Sequence, residues 1–392
     1  MPTTASAAGL THALPTVWSK FKVIETAQKA GSWSARRCPI GGRKDVVRGG
    51  GAGASVLFLC ETKNHGHFPT RRKVREKHGN KMTTILGAGG AISNELAKLL
   101  AVRKQPFRLV GRNPHATSGA TETIAADLTD QDQTIRAVAG STVVYLLVGL
   151  KYDHKIWAEL WPRVMSNTIE ACKRAGAKLI FFDNVYMYGK VSTAMVEETP
   201  FNPCTKKGEV RAKIATALIK EWQSGSLTGM IARAADFYGP DTRTGGPNLL
   251  IFEPYAQKGK ASLLVSDSVP HSFTYTPDAA LGLLQLAERE TAWNQTWHVP
   301  TAPNPLTGKE FVTLAATAMG VAPKYRVLSR PLIMVAGWFN PLIAESYEML
   351  YQNDTPYLFD SGKFAREFGF AGTPYAAGIT AVAAATLMKV GR

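Results

Sequence analysis

The chain has 392 residues, 45% hydrophobic and 19% charged, which is ordinary for a globular protein and enough for one large core or two lobes. Its formal charge of +16 is uneven: residues 1–81 hold 15 Lys and Arg against 4 Asp and Glu, so the remaining 311 residues stand near +5. That mild balance does not support a nucleic-acid partner, four cysteines without paired spacing suit free thiols rather than a disulfide framework, and no apolar run reaches the roughly 18 residues of a membrane span.

Residues 1–81 differ from the rest. Arg48-Gly-Gly-Gly-Ala-Gly53, scattered basic residues and little sustained periodicity predict disorder. A transit peptide, a basic interaction arm and a start-site artefact are the alternatives. The third is adopted, with the working polypeptide beginning at Met82 and a cytoplasmic location expected; organelle import follows only from a genuine leader. Cys60, His65 and His67 in this tail are read as coincidence, and no metal site is expected.

From Met82 the signals change. Ile85 and Leu86 run into Gly87-Ala-Gly-Gly90, after which Ile92, Leu96, Leu99 and Leu100 recur at helical spacing. Strand, tight turn and helix in that order open a dinucleotide-binding unit, with phosphates on the N–H groups of the helix start. Strands are predicted at Phe107–Val110 and Thr123–Ala126, then a helix opened by Thr129-Asp-Gln-Asp132, which has capping-box spacing. Thr142–Val148 is continuously apolar, as a strand covered on both faces would be. A helix follows over Lys155–Ala175, bent or segmented by Pro162. Strand Lys178–Asp183, helix Lys207–Gln223, strand Thr228–Ala234, helix Asp278–Glu288 and a last strand at Thr296–Val299 complete the rhythm.

Strands alternating with helices predict an α/β fold with a doubly wound parallel Rossmann sheet. The expected division is a leader (1–81), a dinucleotide-binding domain (82–300) and a smaller substrate lobe (301–392), to which 239–277 contributes. Pro331–Ala344, the longest apolar stretch, is broken by Gly337, Asn340 and Pro341 and is read as core helix or pocket wall.

Several marks then recur in a fixed order: Gly87-Ala-Gly-Gly-Ala-Ile-Ser93, Asp127-Leu128, Asn167–Gly176, Val185-Tyr-Met-Tyr-Gly189, Arg233 to Phe237-Tyr-Gly-Pro240, and Phe273-Thr-Tyr-Thr-Pro-Asp278. Their order and spacing make Met82 to about Lys389 similar to the extended short-chain dehydrogenases/reductases of the NAD-dependent epimerase/dehydratase family. The resemblance implies that Gly87, Gly89, Gly90, Ala91 and Ile92 hold a dinucleotide diphosphate. It places Asp127 and Leu128 at the adenine and Val148 along the cofactor, with helix capping the alternative for Asp127. Ser93 stands where a third glycine is usual. Arg112 stands near the position of a ribose-binding acid, which favours NADP(H) over NAD(H).

The catalytic Ser, Tyr and Lys of the family are replaced. Asn184 holds the serine position, and Lys207 and Arg211, one helical turn apart, hold those of tyrosine and lysine. Arginine fixes ribose or phosphate rather than moving a proton; Lys207 donates one only if burial beside Arg211 lowers its pKa, and otherwise both form a basic helix face. Tyr186 is the candidate substitute donor. Tyr152, Asp236 and His271 are assigned to the substrate pocket, and a carboxylate at Asp236 disfavours a nucleotide-sugar diphosphate. The aromatic residues Phe252, Tyr255, Trp338, Phe339, Tyr347 and Tyr351 are expected to enclose a small, largely apolar carbonyl compound.

The first function expected is therefore NADP(H)-dependent chemistry on a small carbonyl substrate. A sugar-type epimerase or dehydratase using its cofactor transiently and a non-catalytic NADP(H)-binding regulator are the alternatives. A homodimer through the helices at 155–175 and 207–223 is implied by the resemblance alone.

Overall fold

The computed structural model describes residues 82–115 and 119–391. The leader, with Cys60, His65 and His67, lies outside the described residues. Seven strands form one parallel sheet: β1 (Met82–Leu86), β2 (Phe107–Gly111), β3 (Glu122–Ala125), β4 (Ser141–Leu146), β5 (Lys178–Asp183), β6 (Gly229–Arg233) and β7 (Thr296–His298). Their order is β3-β2-β1-β4-β5-β6-β7, so the winding reverses between β1 and β4, where an open α/β sheet forms its ligand crevice.

Five helices cover this sheet: α1 (Ala91–Val102), α2 (Gln131–Val138), α3 (His154–Ala175), α4 (Lys206–Gln223) and α5 (Thr276–Glu288). The inner strands β4, β5 and β6 are largely apolar because successive side chains enter opposite layers, whereas β3 at the edge, Glu-Thr-Ile-Ala, is mostly exposed. Ile85, Leu109, Tyr145, Ile180 and Met230 join the core with Leu96 of α1 and Leu283 of α5. Their neighbours Leu86, Val110, Val144, Phe181 and Ile231 join the other core with Val138, Trp161 and Ile214 of α2, α3 and α4.

Helix ends follow local chemistry. The Asp153 carboxylate accepts from the N–H of Lys155 and Ile156 to start α3, and Gly176 ends it at φ +63°. Pro162 lies within that helix without dividing it. Helix α2 begins one residue later than the Thr129 signal predicts. The Thr129 hydroxyl is engaged by Asp127, so Asp130 caps the helix through the N–H of Gln133.

Beyond β7 come α6 (Gly308–Met319), α7 (Arg330–Gly337), α8 (Pro341–Ser346) and α9 (Tyr375–Lys389). Tyr238, Phe252 and Tyr255, from between β6 and β7, form a separate apolar cluster with Phe311 of α6 and Ile379 of α9. None of the described helices is long and apolar enough to cross a membrane.

Pro331–Ala344 is neither core helix nor pocket wall. It forms the hairpin α7–α8, in which the Asn340 side chain accepts from the N–H of Leu342 and Pro341 occupies the first turn of α8. Gly337 lets the legs close: a Cβ there would stand 3.2 Å from Ala344 Cα. Two legs this short bury only part of their surface, and Trp338 and Phe339 at the bend are 74% and 85% exposed. The aromatic set expected around a substrate is therefore divided, with Phe252 and Tyr255 in the separate cluster and these two outside.

Candidate active site

Gly87 turns the chain out of β1 at φ +113°, and Gly89 continues at φ +87°. A Cβ on Gly87 would lie 2.7 Å from the Leu147 carbonyl carbon, so a side chain there would collide with the backbone leaving β4. A Cβ on Gly89 would meet nothing within 4 Å, which leaves that side open. Helix α1 starts at Gly90 with no side-chain cap, and the buried Ser93 hydroxyl in its first turn has no hydrogen-bond partner. Unsatisfied donors at a helix start beside an open glycine turn are the chemistry an anionic diphosphate meets. Ala91 is half-buried and Ile92 buried in the first turn of α1.

Arg112 is exposed just past β2, with no ion-pair or hydrogen-bond partner among the described residues. Asp127 is exposed beyond β3, where one oxygen accepts from the N–H and hydroxyl of Thr129 at 2.9 and 2.8 Å. Leu128 is buried behind it, and Val148, past β4, packs partly against the same core.

A second group stands at the same, carboxyl, end of the sheet. Tyr152 follows β4, Asn184 and Tyr186 follow β5, Asp236 follows β6, and Lys207 lies in the first turn of α4. Gly208 allows this approach, since a Cβ there would lie 2.6 Å from the Tyr186 carbonyl oxygen. The Asn184 side chain accepts from the N–H of Tyr186 at 3.1 Å and shapes the loop. The Tyr186 ring stacks on Trp157 at 6.3 Å. Burial, reinforced by Tyr152 and Asp236, raises its phenol well above the ordinary tyrosine range, so it stays a proton donor. Burial likewise raises Tyr152.

Lys207 is fully buried with all its donors engaged. Its ammonium reaches Glu345 Oε2 at 2.5 Å, the Glu345 carbonyl at 2.9 Å and Glu348 Oε1 at 2.8 Å, and sits 4.6 Å over the Tyr152 ring. Glu345 also accepts from the N–H of His154 and pairs with its Nδ1 at 2.8 Å. Burial would raise this carboxyl, but Lys207 and His154 override it and hold it at about 2. Asp153, His154 and Glu345 are close enough together to suit a cation, yet Asp153 is engaged in capping α3 and the other two in pairing with each other.

Arg211 does not join this group. It is buried beneath the loop, where Nε donates to Asp183 Oδ1 at 2.7 Å with Nη2 on the same oxygen, and its guanidinium lies 4.4 Å over Trp161. Asp183 also has Arg233 at 3.9 Å, and Arg233 donates to the Tyr188 hydroxyl at 2.7 Å. Tyr188 in turn meets His298 Nε2 at 2.9 Å, and its phenol is pushed up to about 12, chiefly by burial. Arg211 thus holds the strand ends together rather than facing ribose or phosphate.

Asp236 and His271 form a pair, with His271 Nε2 3.1 Å from Asp236 Oδ2. The imidazole is sandwiched between Phe273 and Tyr357 at 4.4 and 4.3 Å. Tyr152, Tyr186, Lys207, Asp236 and His271 therefore belong to one polar cluster at the same end of the sheet as the glycine turn. Sequence reasoning missed Glu345 and Glu348, the partners of Lys207. Their spacing of three after a long uncharged run was a visible signal, but nothing in it pointed across more than 130 positions to α4.

The parallel sheet, its reversal at β1/β4 and the glycine turn beneath α1 define an extended short-chain dehydrogenase/reductase fold. Residues 83–299, more than half of the chain, match the model of the NAD dependent epimerase/dehydratase family, and the chain belongs to that family. Among solved structures it is similar to the UDP-glucose 4-epimerase of Thermus thermophilus in complex with NAD, at 16% identity and a TM-score of 0.63, covering 78% of this chain and 98% of that one. It is also similar to DesIV, a dTDP-glucose 4,6-dehydratase from Streptomyces venezuelae with NAD and TYD bound, at 16% identity and a TM-score of 0.65, covering 79% and 98%. A third is the UDP-N-acetylglucosamine 4-epimerase of Bacillus cereus, at 14% identity and a TM-score of 0.62, covering 78% and 99%. No curated protein matches the chain in sequence.

Proposed function

We propose that this chain is a nicotinamide-dinucleotide enzyme of the epimerase/dehydratase type, acting at a hydroxyl-bearing carbon of a small substrate. The observation that carries this reading is the uncapped start of α1, with its open Gly89 and orphan Ser93 hydroxyl, at the same sheet end as the Tyr186 cluster. Gly87, Gly89, Gly90, Ala91 and Ile92 would hold the diphosphate by backbone N–H groups, Asp127 and Leu128 the adenine, and Val148 the ribose side. When bound, the nicotinamide supplies a reversible hydride acceptor.

The chain's own groups do the rest. Tyr186, kept protonated by burial, would donate a hydrogen bond to the substrate oxygen, Asp236 would accept the proton released as the hydroxyl carbon gives up its hydride, and Lys207, its charge matched by Glu345 and Glu348, would hold the Tyr152 ring in place. Asn184 would position the loop. Asp236 and His271 would line the pocket, where the carboxylate disfavours a diphosphate-bearing sugar.

Arg112 supports a finer reading, selection of the 2′-phosphate of NADP(H), and with it a second function, net reduction of a small carbonyl compound. The test is thermal stabilisation of the full chain by each dinucleotide, compared with Arg112→Ala. At a hundredfold excess over Kd, a bound dinucleotide is worth about 2.7 kcal/mol. NADPH is expected to stabilise the native protein more than NADH, and the variant to lose that difference. With hydroxy and keto substrates, interconversion without net cofactor change supports the first function and stoichiometric NADPH consumption the second. Binding without turnover would identify a regulator, and absence of any dinucleotide effect would end the reading.

A further inference from the structure

The hairpin α7–α8 is unlike the rest of the surface. From Pro331 to Ala344 it contains no charged residue. Leu332, Met334, Val335, Trp338, Phe339 and Leu342 are all exposed on it, and the two aromatic residues at its apex are the most exposed. Its backbone needs no partner, since the N–H groups of Trp338, Phe339 and Asn340 are satisfied by Val335 and Ala336 carbonyls. A contiguous apolar surface of this kind is a contact site.

The surroundings indicate what it contacts. The acids at the hairpin base point inward, Glu345 onto Lys207 and His154 and Glu348 onto Lys207. Around that base the exposed charges include lysines: Lys155 follows His154 in the chain, Lys151 precedes it, and the N–H of Lys206 donates to Glu348. An exposed, uncharged tip led by Trp and Phe, with exposed lysines on the segments that its base contacts, matches the interface of an anionic bilayer, where aromatic rings sit at headgroup depth and basic side chains meet lipid phosphates. Two copies packed tip to tip would bring these lysines together without a counter-charge, since the acids of the hairpin base are already paired inward.

We propose that the α7–α8 hairpin docks this protein on anionic membrane surfaces, with Trp338 and Phe339 entering the lipid interface and Lys151, Lys155 and Lys206 facing the headgroups. Because Glu345 and Glu348 close the hairpin base over Lys207, docking would set the catalytic cluster at the membrane. The substrate would then be amphiphilic and taken from the lipid surface. This last step rests on the proposed enzymatic function; the docking does not.

The experiment is co-sedimentation of the full chain with vesicles of phosphatidylcholine alone and of an equal mixture with phosphatidylglycerol. The native protein is expected to bind the mixed vesicles, and W338S/F339S to bind at least about tenfold more weakly with an unchanged melting temperature. K151E/K155E is expected to weaken binding to the mixed vesicles about fivefold per charge. Quenching by brominated lipid that W338F loses would place the hairpin itself in the bilayer. Undiminished binding of W338S/F339S, which would assign attachment to another part of the chain, overturns the proposal, as does native protein that stays in solution. A concentration-dependent dimer abolished by the same variant also overturns it, because a second copy then covers the face. None of these readouts depends on turnover, so they fail separately from the proposed enzymatic function.

Discussion

At Gly87 two independent restrictions coincide, a backbone at φ +113° and a β4 exit too near for any Cβ. Gly87→Ala is therefore expected to cost about 1–3 kcal/mol even without ligand, seen as a lower denaturant midpoint, because strain at a positive φ and a backbone collision both act in the folded state. The need for glycine was legible in the sequence, since a strand, a glycine cluster and an apolar helix pattern occur there together. The fate of Arg211 was not. Its spacing from Lys207 suggested two cations facing one ligand, but its partner Asp183 ends a strand 28 positions earlier. Only the sheet brings a buried carboxylate under that guanidinium. One turn along α4 was enough to send Lys207 to the hairpin and Arg211 into the core.

Among the elements, the strands and covering helices follow the apolar pattern to within a residue or two, because a strand covered on both sides reads as a short continuous apolar run and a covering helix as a periodic one. The hairpin did not follow. Its composition read as interior, and what turned it outward was Asn340-Pro341, which divides the stretch into legs of about two turns. Its attachment depends on pH through Glu345. The folded carboxyl, near 2, lies below the unfolded value of about 4.3, so its contribution is complete above that value and is lost as pH falls toward 2. Amide exchange across α8 is expected to rise over that acid window. In Glu345→Gln it is expected to be faster than in the native protein at pH 7 and insensitive to the same titration. An identical acid response in the two proteins would remove Glu345 as the cause.

At the scale of the whole molecule, the far end of the sheet is joined to the chain beyond it through His298. Its Nδ1 lies 2.7 Å from the Asp360 carbonyl, its Nε2 meets Tyr188, and its ring stacks on Phe359 at 4.1 Å. Burial holds this imidazole neutral, with a value of about 3 against about 6.5 when unfolded. Below pH 6.5 the unfolded chain takes up a proton that the folded one does not. Stability is then expected to fall by about 2 kcal/mol between pH 6.5 and 5 on account of this residue. Denaturant titrations at the two pH values check this, and His298→Gln is expected to flatten the slope while lowering stability throughout.

The position of β7 has a consequence for synthesis. More than sixty residues separate it from β6, and the apolar cluster built around Phe311 takes its members from both sides of that last strand. While a ribosome is still translating the stretch before residue 296, β6 remains a bare, hydrogen-bonding margin, and Phe252 and Tyr255 lack Phe311 and Ile379, which complete their cluster. A nascent chain halted there would be an invitation to aggregation or to a chaperone, so the protein becomes safe to release only when almost all of it has been made.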